Sequence, residues 1–123
     1  YFDSDDGVLY SEGFIELIYC PSKYANSEFD VLDETTVIRS YAFYNNYSIT
    51  TITFHQYIQV ISAYAFENMN LHTITFEGLK PPFVTGSKVF DDSNSDIKIY
   101  IHKDAINFEQ IGAFYGYEII RAE

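Results

Sequence analysis

The heptapeptide Val-Ile-Arg-Ser-Tyr-Ala-Phe at residues 37–43 recurs as Val-Ile-Ser-Ala-Tyr-Ala-Phe at residues 60–66. The two copies start 23 residues apart, and five of their seven positions are identical. A second motif, Thr-Ile-Thr-Phe, occupies residues 51–54 and returns 22 residues later at 73–76. Because two motifs keep the same order at nearly the same period, we expect a solenoid of stacked turns of about 23 residues.

Each turn is predicted to contain one short strand and one sharp bend. Apolar and polar residues alternate in Thr-Ile-Thr-Phe, which is typical of a strand with one buried face. Ile52 and Phe54 should therefore point inward, and the threonines outward. The bend falls at Tyr-Ala-Phe, where the small alanine allows close packing and Phe43, Phe66 and Phe90 should stack inside the coil. An ordinary β-sandwich with a coincidental duplication is the alternative fold.

The ends of the chain differ from the repeats, as the ends of a solenoid should. We divide the single predicted domain into an N-terminal hairpin (1–23), the repeats (24–90) and a C-terminal cap (91–123). The cap is predicted to hold a strand at 99–101, a short helix that begins at Asp104 and ends at Gly112, and a last strand at 117–120. Ala105, Phe108 and Ile111 would share one face of that helix.

Composition excludes several classes of function. The net charge is −11 with only 7 Lys and Arg, which disfavours nucleic acid and anionic membrane surfaces as partners. No apolar run approaches the ~20 residues of a membrane helix, so membrane insertion is not expected. The single Cys20 rules out an internal disulfide and is expected to be a buried free thiol. The chain begins at Tyr1, so we expect a fragment or a processed form, which is compatible with the earlier removal of a signal peptide.

A search for chemistry finds no catalytic set. There is no glycine-rich phosphate loop and no His-x-x-x-His pair, and we expect no metal and no cofactor. The histidines are interpreted as exposed surface residues. Two acidic clusters are interpreted as turn and cap residues, and a hard cation held by their oxygens is the alternative. They are Asp3, Asp5 and Asp6, and Asp91, Asp92 and Asp96. Asn46-Tyr47-Ser48 is a glycosylation sequon, but Asn46 falls near an expected core position.

Taken in order, these pieces resemble the BspA-like leucine-rich repeats. The resemblance rests on the Ile-x-Phe strand, the following Val-Ile, the Tyr-Ala-Phe bend, and hairpin and exit segments at the two ends. It implies a right-handed leucine-rich-repeat solenoid in a surface or secreted protein, often one that adheres to host matrix proteins or to other cells. The sequence departs from the family where Asn46 and Met69 replace a frequent Cys, and where His55 and Glu77 replace a frequent Pro.

The outward side of the parallel strands is the expected binding surface, because solenoids usually bind partners on their concave face. A partner protein is the leading expectation. A glycan-binding module, and a spacer within a longer surface protein, are the alternatives. The candidate binding residues on this face are Asp30, Thr53, His55, Thr75, Glu77, Tyr100 and His102.

Overall fold

The computed structural model describes residues 2–5, 7–22, 24, 26–85, 96–108 and 117–123. Its strands are β1 (Phe2–Asp5), β2 (Val8–Ser11), β3 (Glu16–Tyr19), β4 (Glu28–Asp30), β5 (Val37–Ile38), β6 (Thr51–Phe54), β7 (Val60–Ile61), β8 (Thr73–Phe76), β9 (Phe83–Val84), β10 (Lys98–Ile101) and β11 (Glu118–Arg121). A 3-10 helix at Glu12–Phe14 joins β2 to β3. No helix in the described ranges is long and apolar enough to cross a membrane.

The strands form two sheets that the chain visits alternately. The main sheet has the order β11-β10-β8-β6-β4, and all its pairs are parallel. The return sheet has the order β1-β2-β3-β5-β7-β9. From β3 to β8 each strand pairs with the strand two further along the chain, which is the connectivity of a solenoid. The predicted solenoid is confirmed, and the β-sandwich is not observed. The two-residue strands of the return sheet were not predicted.

The core lies between the two sheets and follows the predicted alternation. Ile52, Phe54 and Ile74 are fully buried, and Phe76 is nearly so, while the threonines of β6 and β8 are half-buried on the opposite side. The Phe54 and Phe76 rings stack at 5.1 Å with 13° between their planes. Burying such a side chain contributes roughly 1.5–3 kcal/mol each. The repeated Ile-x-Phe motif is therefore explained by a continuous core.

The bends repeat an unusual backbone conformation. Tyr41 and Tyr64 have φ of 60° and 63°, in the left-handed region that costs a non-glycine residue roughly 1–2 kcal/mol. Two features offset this cost. The Tyr41 N–H donates to the Tyr64 carbonyl at 3.2 Å, and the two rings stack at 5.7 Å. Ala42 and Ala65 are fully buried beside them, and the Phe43 and Phe66 rings lie 5.5 Å apart, as predicted. Phe90 lies outside the described residues.

Asn46 ties the first bend to the turn before it. Its side chain is fully buried, and its Nδ2 donates to the Pro21 carbonyl at 2.9 Å. Its Oδ1 accepts the backbone N–H groups of Ser48 and Ile49 at 3.0 and 2.9 Å. The expected core position is confirmed. Asn46 thus satisfies the buried N–H of Ile49 and joins it to the preceding turn.

The N-terminal hairpin is confirmed with one addition. Strands β2 and β3 are antiparallel, with a bulge between Leu9 and Tyr10. Strand β1 pairs with β2 outside this hairpin and was not predicted. Asp3 and Asp5 lie on this strand, so their interpretation as turn or cap residues was wrong. Asp6, Asp91 and Asp92 lie outside the described residues, and Asp96 lies in a turn.

At the C-terminal end, the predicted strands are confirmed as β10 and β11, but the predicted helix is not seen among the described residues. Lys103 and Asp104 form a turn, and no helix follows at 105–107. Asn107 has φ of 69°, which a right-handed helix cannot contain. The rest of the predicted helix, including Ile111 and Gly112, lies outside the described residues. Ala105 and Phe108 are nonetheless buried, so their apolar spacing reflects core packing rather than a helix.

Candidate functional site

The outward side of the main sheet presents two rows of side chains, which together we call the strip. Strand register sets Asp30 opposite Thr53, Thr53 opposite Thr75, and Thr75 opposite Tyr100. This lateral order agrees with the predicted one. The first row of the strip is Glu28, Thr51, Thr73, Lys98 and Glu118, and the second row is Asp30, Thr53, Thr75, Tyr100 and Ile120.

A groove of about 630 Å³ lies where β8, β10 and β11 end. Residues 75–77, 100–102 and 120–123 line it. The exposed fraction of Tyr100, which lies in this groove, is 37%. The groove brings together four of the seven candidate residues: Thr75, Glu77, Tyr100 and His102.

The contribution of β11 to the groove was missed in the sequence. Ile120 stands opposite Tyr100, and the Arg121 Nη1 donates to the Ala105 carbonyl at 2.6 Å. The apolar residues at 117–120 predicted a strand there, but no repeat motif gave its register. Sequence spacing therefore located the strand without showing that Ile120 widens the apolar floor beside Tyr100.

His55 lies in a hydrogen-bonded row beside the strip. Its Nδ1 lies 2.7 Å from Glu77 Oε1 and 3.5 Å from Asp33 Oδ1, so residues from three successive turns meet. Because an ionised carboxylate can only accept, the His55 Nδ1 carries the proton. The interpretation of His55 as simply exposed needs correction, since its side chain is 33% exposed and paired. These three residues and Gln56 line a second cavity of about 290 Å³.

Asp30 and Thr53 stand apart from the groove, whereas His102 lines it. Asp30 lines a polar cavity of about 200 Å³ at the N-terminal edge of the main sheet, together with Tyr24 and Glu28. Thr53 lies between this cavity and the groove on the same row. The His102 Nδ1 accepts the backbone N–H of Asp104 at 2.9 Å, which fixes the ring at the end of β10. The seven candidates thus share one sheet face but form no single pocket.

Neither a reactive thiol nor a metal cluster is seen among the described residues. Burial raises the pKa of the Cys20 thiol to about 12, which keeps it protonated and poorly nucleophilic. Across the described ranges, no group of three or more His, Cys, Asp or Glu residues is arranged to hold a metal ion. What the strip and the groove offer are hydroxyl, carboxylate, imidazole and aromatic groups on an open surface. Such groups bind by contact and hydrogen bonding.

Comparison with known proteins agrees with this architecture. The profile of the BspA type leucine rich repeat region matches residues 19–122 in six copies. The chain belongs to the BspA-type leucine-rich-repeat family. The crystal structure of the pneumococcal vaccine antigen PcpA has a similar fold, with a TM-score of 0.50 and 16% sequence identity. The match covers 99% of this chain and 48% of the PcpA chain, so this chain spans about half of that protein. No curated protein matches this chain significantly by sequence.

Proposed function

We propose that this chain is a non-catalytic interaction module of a cell-surface or secreted protein, and that it binds partner proteins through the strip and the groove. The observation that carries the proposal is the groove itself. It is open, has a volume of about 630 Å³, and is lined by Tyr100 and Ile120. Adhesion to a matrix protein or to a protein of a neighbouring cell is the role we propose for it. The fold shared with a pneumococcal vaccine antigen supports the extracellular location.

The chemistry of the surface supports protein rather than nucleic acid as the partner. The net charge of −11 opposes a phosphate backbone. Aromatic residues such as Tyr100 are enriched at the centres of protein interfaces, where they combine apolar area with a hydrogen-bonding hydroxyl. Thr53 and Thr75 lie between the acidic and aromatic ends of the strip, where their hydroxyls offer donors and acceptors to a partner.

A glycan is the second candidate ligand, and the exposed tyrosines favour it. Tyr100 lies beside hydroxyl and carboxylate groups in the groove. Tyr41 and Tyr64 present a second aromatic surface at the bends, with 50% and 44% of each residue exposed. Their rings stack on one another with 13° between the planes, so part of each face is already covered. Tyr100 is therefore the better position for a sugar ring.

The test is a binding screen of the immobilised protein against purified matrix proteins and a glycan array, each at two salt concentrations. Tyr100→Ala is the test variant. Tyr47→Ala is its matched control, because Tyr47 is 60% exposed and precedes β6, away from the strand ends that form the groove. Protein binding that Tyr100→Ala abolishes and Tyr47→Ala preserves supports the proposal. Glycan binding alone supports the second candidate. Binding insensitive to Tyr100→Ala, or no binding by a folded sample, contradicts the proposed site.

A further inference from the structure

The second row of the strip changes in polarity from one edge of the main sheet to the other. Asp30 stands at one edge, Thr53, Thr75 and Tyr100 follow, and Ile120 stands at the other edge. A row of short threonine side chains thus separates a carboxylate from an apolar floor. This gradient bears on what kind of partner the strip binds, and the inference drawn from it rests on the proposed function.

The apolar end is open to a large side chain. Tyr100 and Ile120 stand opposite each other in neighbouring parallel strands, about 4.8 Å apart. The positive charge of Arg121 is directed to the Ala105 carbonyl at 2.6 Å. Glu77 also lines the groove and brings a carboxylate to the strand-end side of it. An aromatic or branched apolar side chain would complement this floor.

The acidic end favours a cation. Asp30 is exposed on the strip, and Asp33 is 67% exposed just beyond the end of β4. The His55 ring links Asp33 to Glu77, so carboxylates run alongside the threonines towards the groove. Complementary charge at such a surface determines which partners approach and in which register they bind. A Lys or Arg side chain is the group that fits beside Asp30 and Asp33.

The two ends lie at a definite separation. Asp30 and Tyr100 are three strand spacings apart, or about 14 Å at about 4.8 Å per spacing. An extended peptide advances about 3.3 Å per residue, so the same distance corresponds to about four residues. A peptide that crosses the strands over Thr53 and Thr75 would therefore reach both ends at once.

We propose that the partner presents an extended segment that lies across the main sheet. In this segment a Lys or Arg beside Asp30 and Asp33 is about four residues away from a large apolar residue over Tyr100 and Ile120. The threonine row contacts the residues between them. The partner class is thus a basic-apolar peptide segment, either in a flexible chain or on an exposed strand of a folded protein.

The first experiment selects binders from a phage-displayed library of random 12-residue peptides on the immobilised protein. Enriched peptides should contain Lys or Arg about four residues from an aromatic or branched apolar residue. Enrichment of peptides without a basic residue, enrichment without a preferred spacing, or no enrichment at all would overturn the inference. If matrix proteins still bind in a manner that depends on Tyr100, the proposed function survives this failure. If they do not, both proposals fail.

The second experiment measures the affinity of an enriched synthetic peptide by fluorescence anisotropy. Tyr100→Ala should weaken binding about 30-fold, the effect of losing a central aromatic contact. Asp30→Asn should weaken it about twofold to fivefold, and less at high salt, as expected for an exposed ion pair. Glu12→Gln removes the same charge from an exposed position in the 3-10 helix and should change nothing. Equal effects of Asp30→Asn and Glu12→Gln would show attraction to overall charge alone and refute the docking register.

Discussion

The buried amide of Asn46 offers a quantitative test of how neighbouring turns are joined. Asn46→Ala removes three hydrogen bonds to backbone groups: one to the Pro21 carbonyl at 2.9 Å, and two from Ser48 and Ile49 at 3.0 and 2.9 Å. Asn46 itself is fully buried, and so is Ile49. The alanine variant therefore leaves the Ile49 N–H in the interior without its partner, while the Pro21 carbonyl still accepts the Tyr24 N–H at 3.1 Å.

The expected decrease in the free energy of unfolding follows from the number of hydrogen bonds removed. A hydrogen bond inside a protein contributes about 0.5–1.5 kcal/mol net, and an unsatisfied buried group costs about 1–3 kcal/mol. Three bonds then correspond to about 2–4 kcal/mol in the free energy of unfolding. The stability of a domain is only about 5–15 kcal/mol. Asn46→Ala should therefore remove a large fraction of it.

Urea unfolding followed by tyrosine fluorescence or circular dichroism measures this loss. The urea concentration at the midpoint of unfolding should fall in Asn46→Ala. The slope of the free energy of unfolding against urea concentration should stay constant, because the surface area exposed on unfolding hardly changes. Asn70→Ala is the matched control, because Asn70 is exposed and should change the free energy by less than about 0.5 kcal/mol. A loss below about 1 kcal/mol for Asn46→Ala would refute the assignment of Asn46 as the link between turns.

Four further predictions concern buried or paired groups. Asn46 should carry no glycan on folded protein secreted from a glycosylating host, because its Nδ2 is buried and donates to Pro21, and intact mass measures this. The Cys20 thiol should react with a disulfide reagent on the order of 1000-fold more slowly in the folded than in the unfolded chain at pH 8. Burial raises the pKa of the Cys20 thiol from 9.0 to about 12, so the stability contributed by the buried neutral thiol should be lost as the pH rises over that interval. Urea unfolding of the wild type and of Cys20→Ala at several pH values measures this change in the free energy of unfolding. Arg39 donates to Glu16 and lowers the pKa of that carboxyl below 4.5, so the stability difference between wild type and Glu16→Gln should vanish as the pH falls through the lowered value.

The solenoid could be predicted because its core residues recur in the sequence at a nearly fixed period. Ile52 and Ile74 occupy equivalent positions in strands that stand opposite each other, so one repeat determines the place of the next. Tyr41 and Tyr64 show the same equivalence at the bends. Where the period stops, prediction was only partly right: the strands β10 and β11 are confirmed, but the helix is not seen among the described residues. The helix expected from Asp104 rested on apolar spacing at Ala105 and Phe108, which core packing explains equally well.

The site was predictable in its order but not in its shape. Register fixed the neighbours of Thr53 and Thr75, since both belong to the repeated motif. The groove depends on β11, whose register with Tyr100 no motif encodes. The pairing of His55 with Glu77 depends on the direction of side chains that follow the strands, and the alternation of residues within a strand does not predict that direction. Long-range contacts between non-repeating residues therefore had to be seen in three dimensions.

In the main sheet, the inward residues are determined by packing in the core, whereas the outward residues are less constrained by folding. Inward positions such as Phe54 and Phe76 are fixed by packing, because their rings stack in the core. Outward positions need only residues that suit a sheet surface, and the threonines of β6 and β8 meet that need. Tyr100 departs from this pattern, since 37% of an aromatic residue remains exposed where a threonine would serve the fold. An aromatic group that the core does not require, beside Ile120 in an open groove, is the group that the proposed contact with a partner would use.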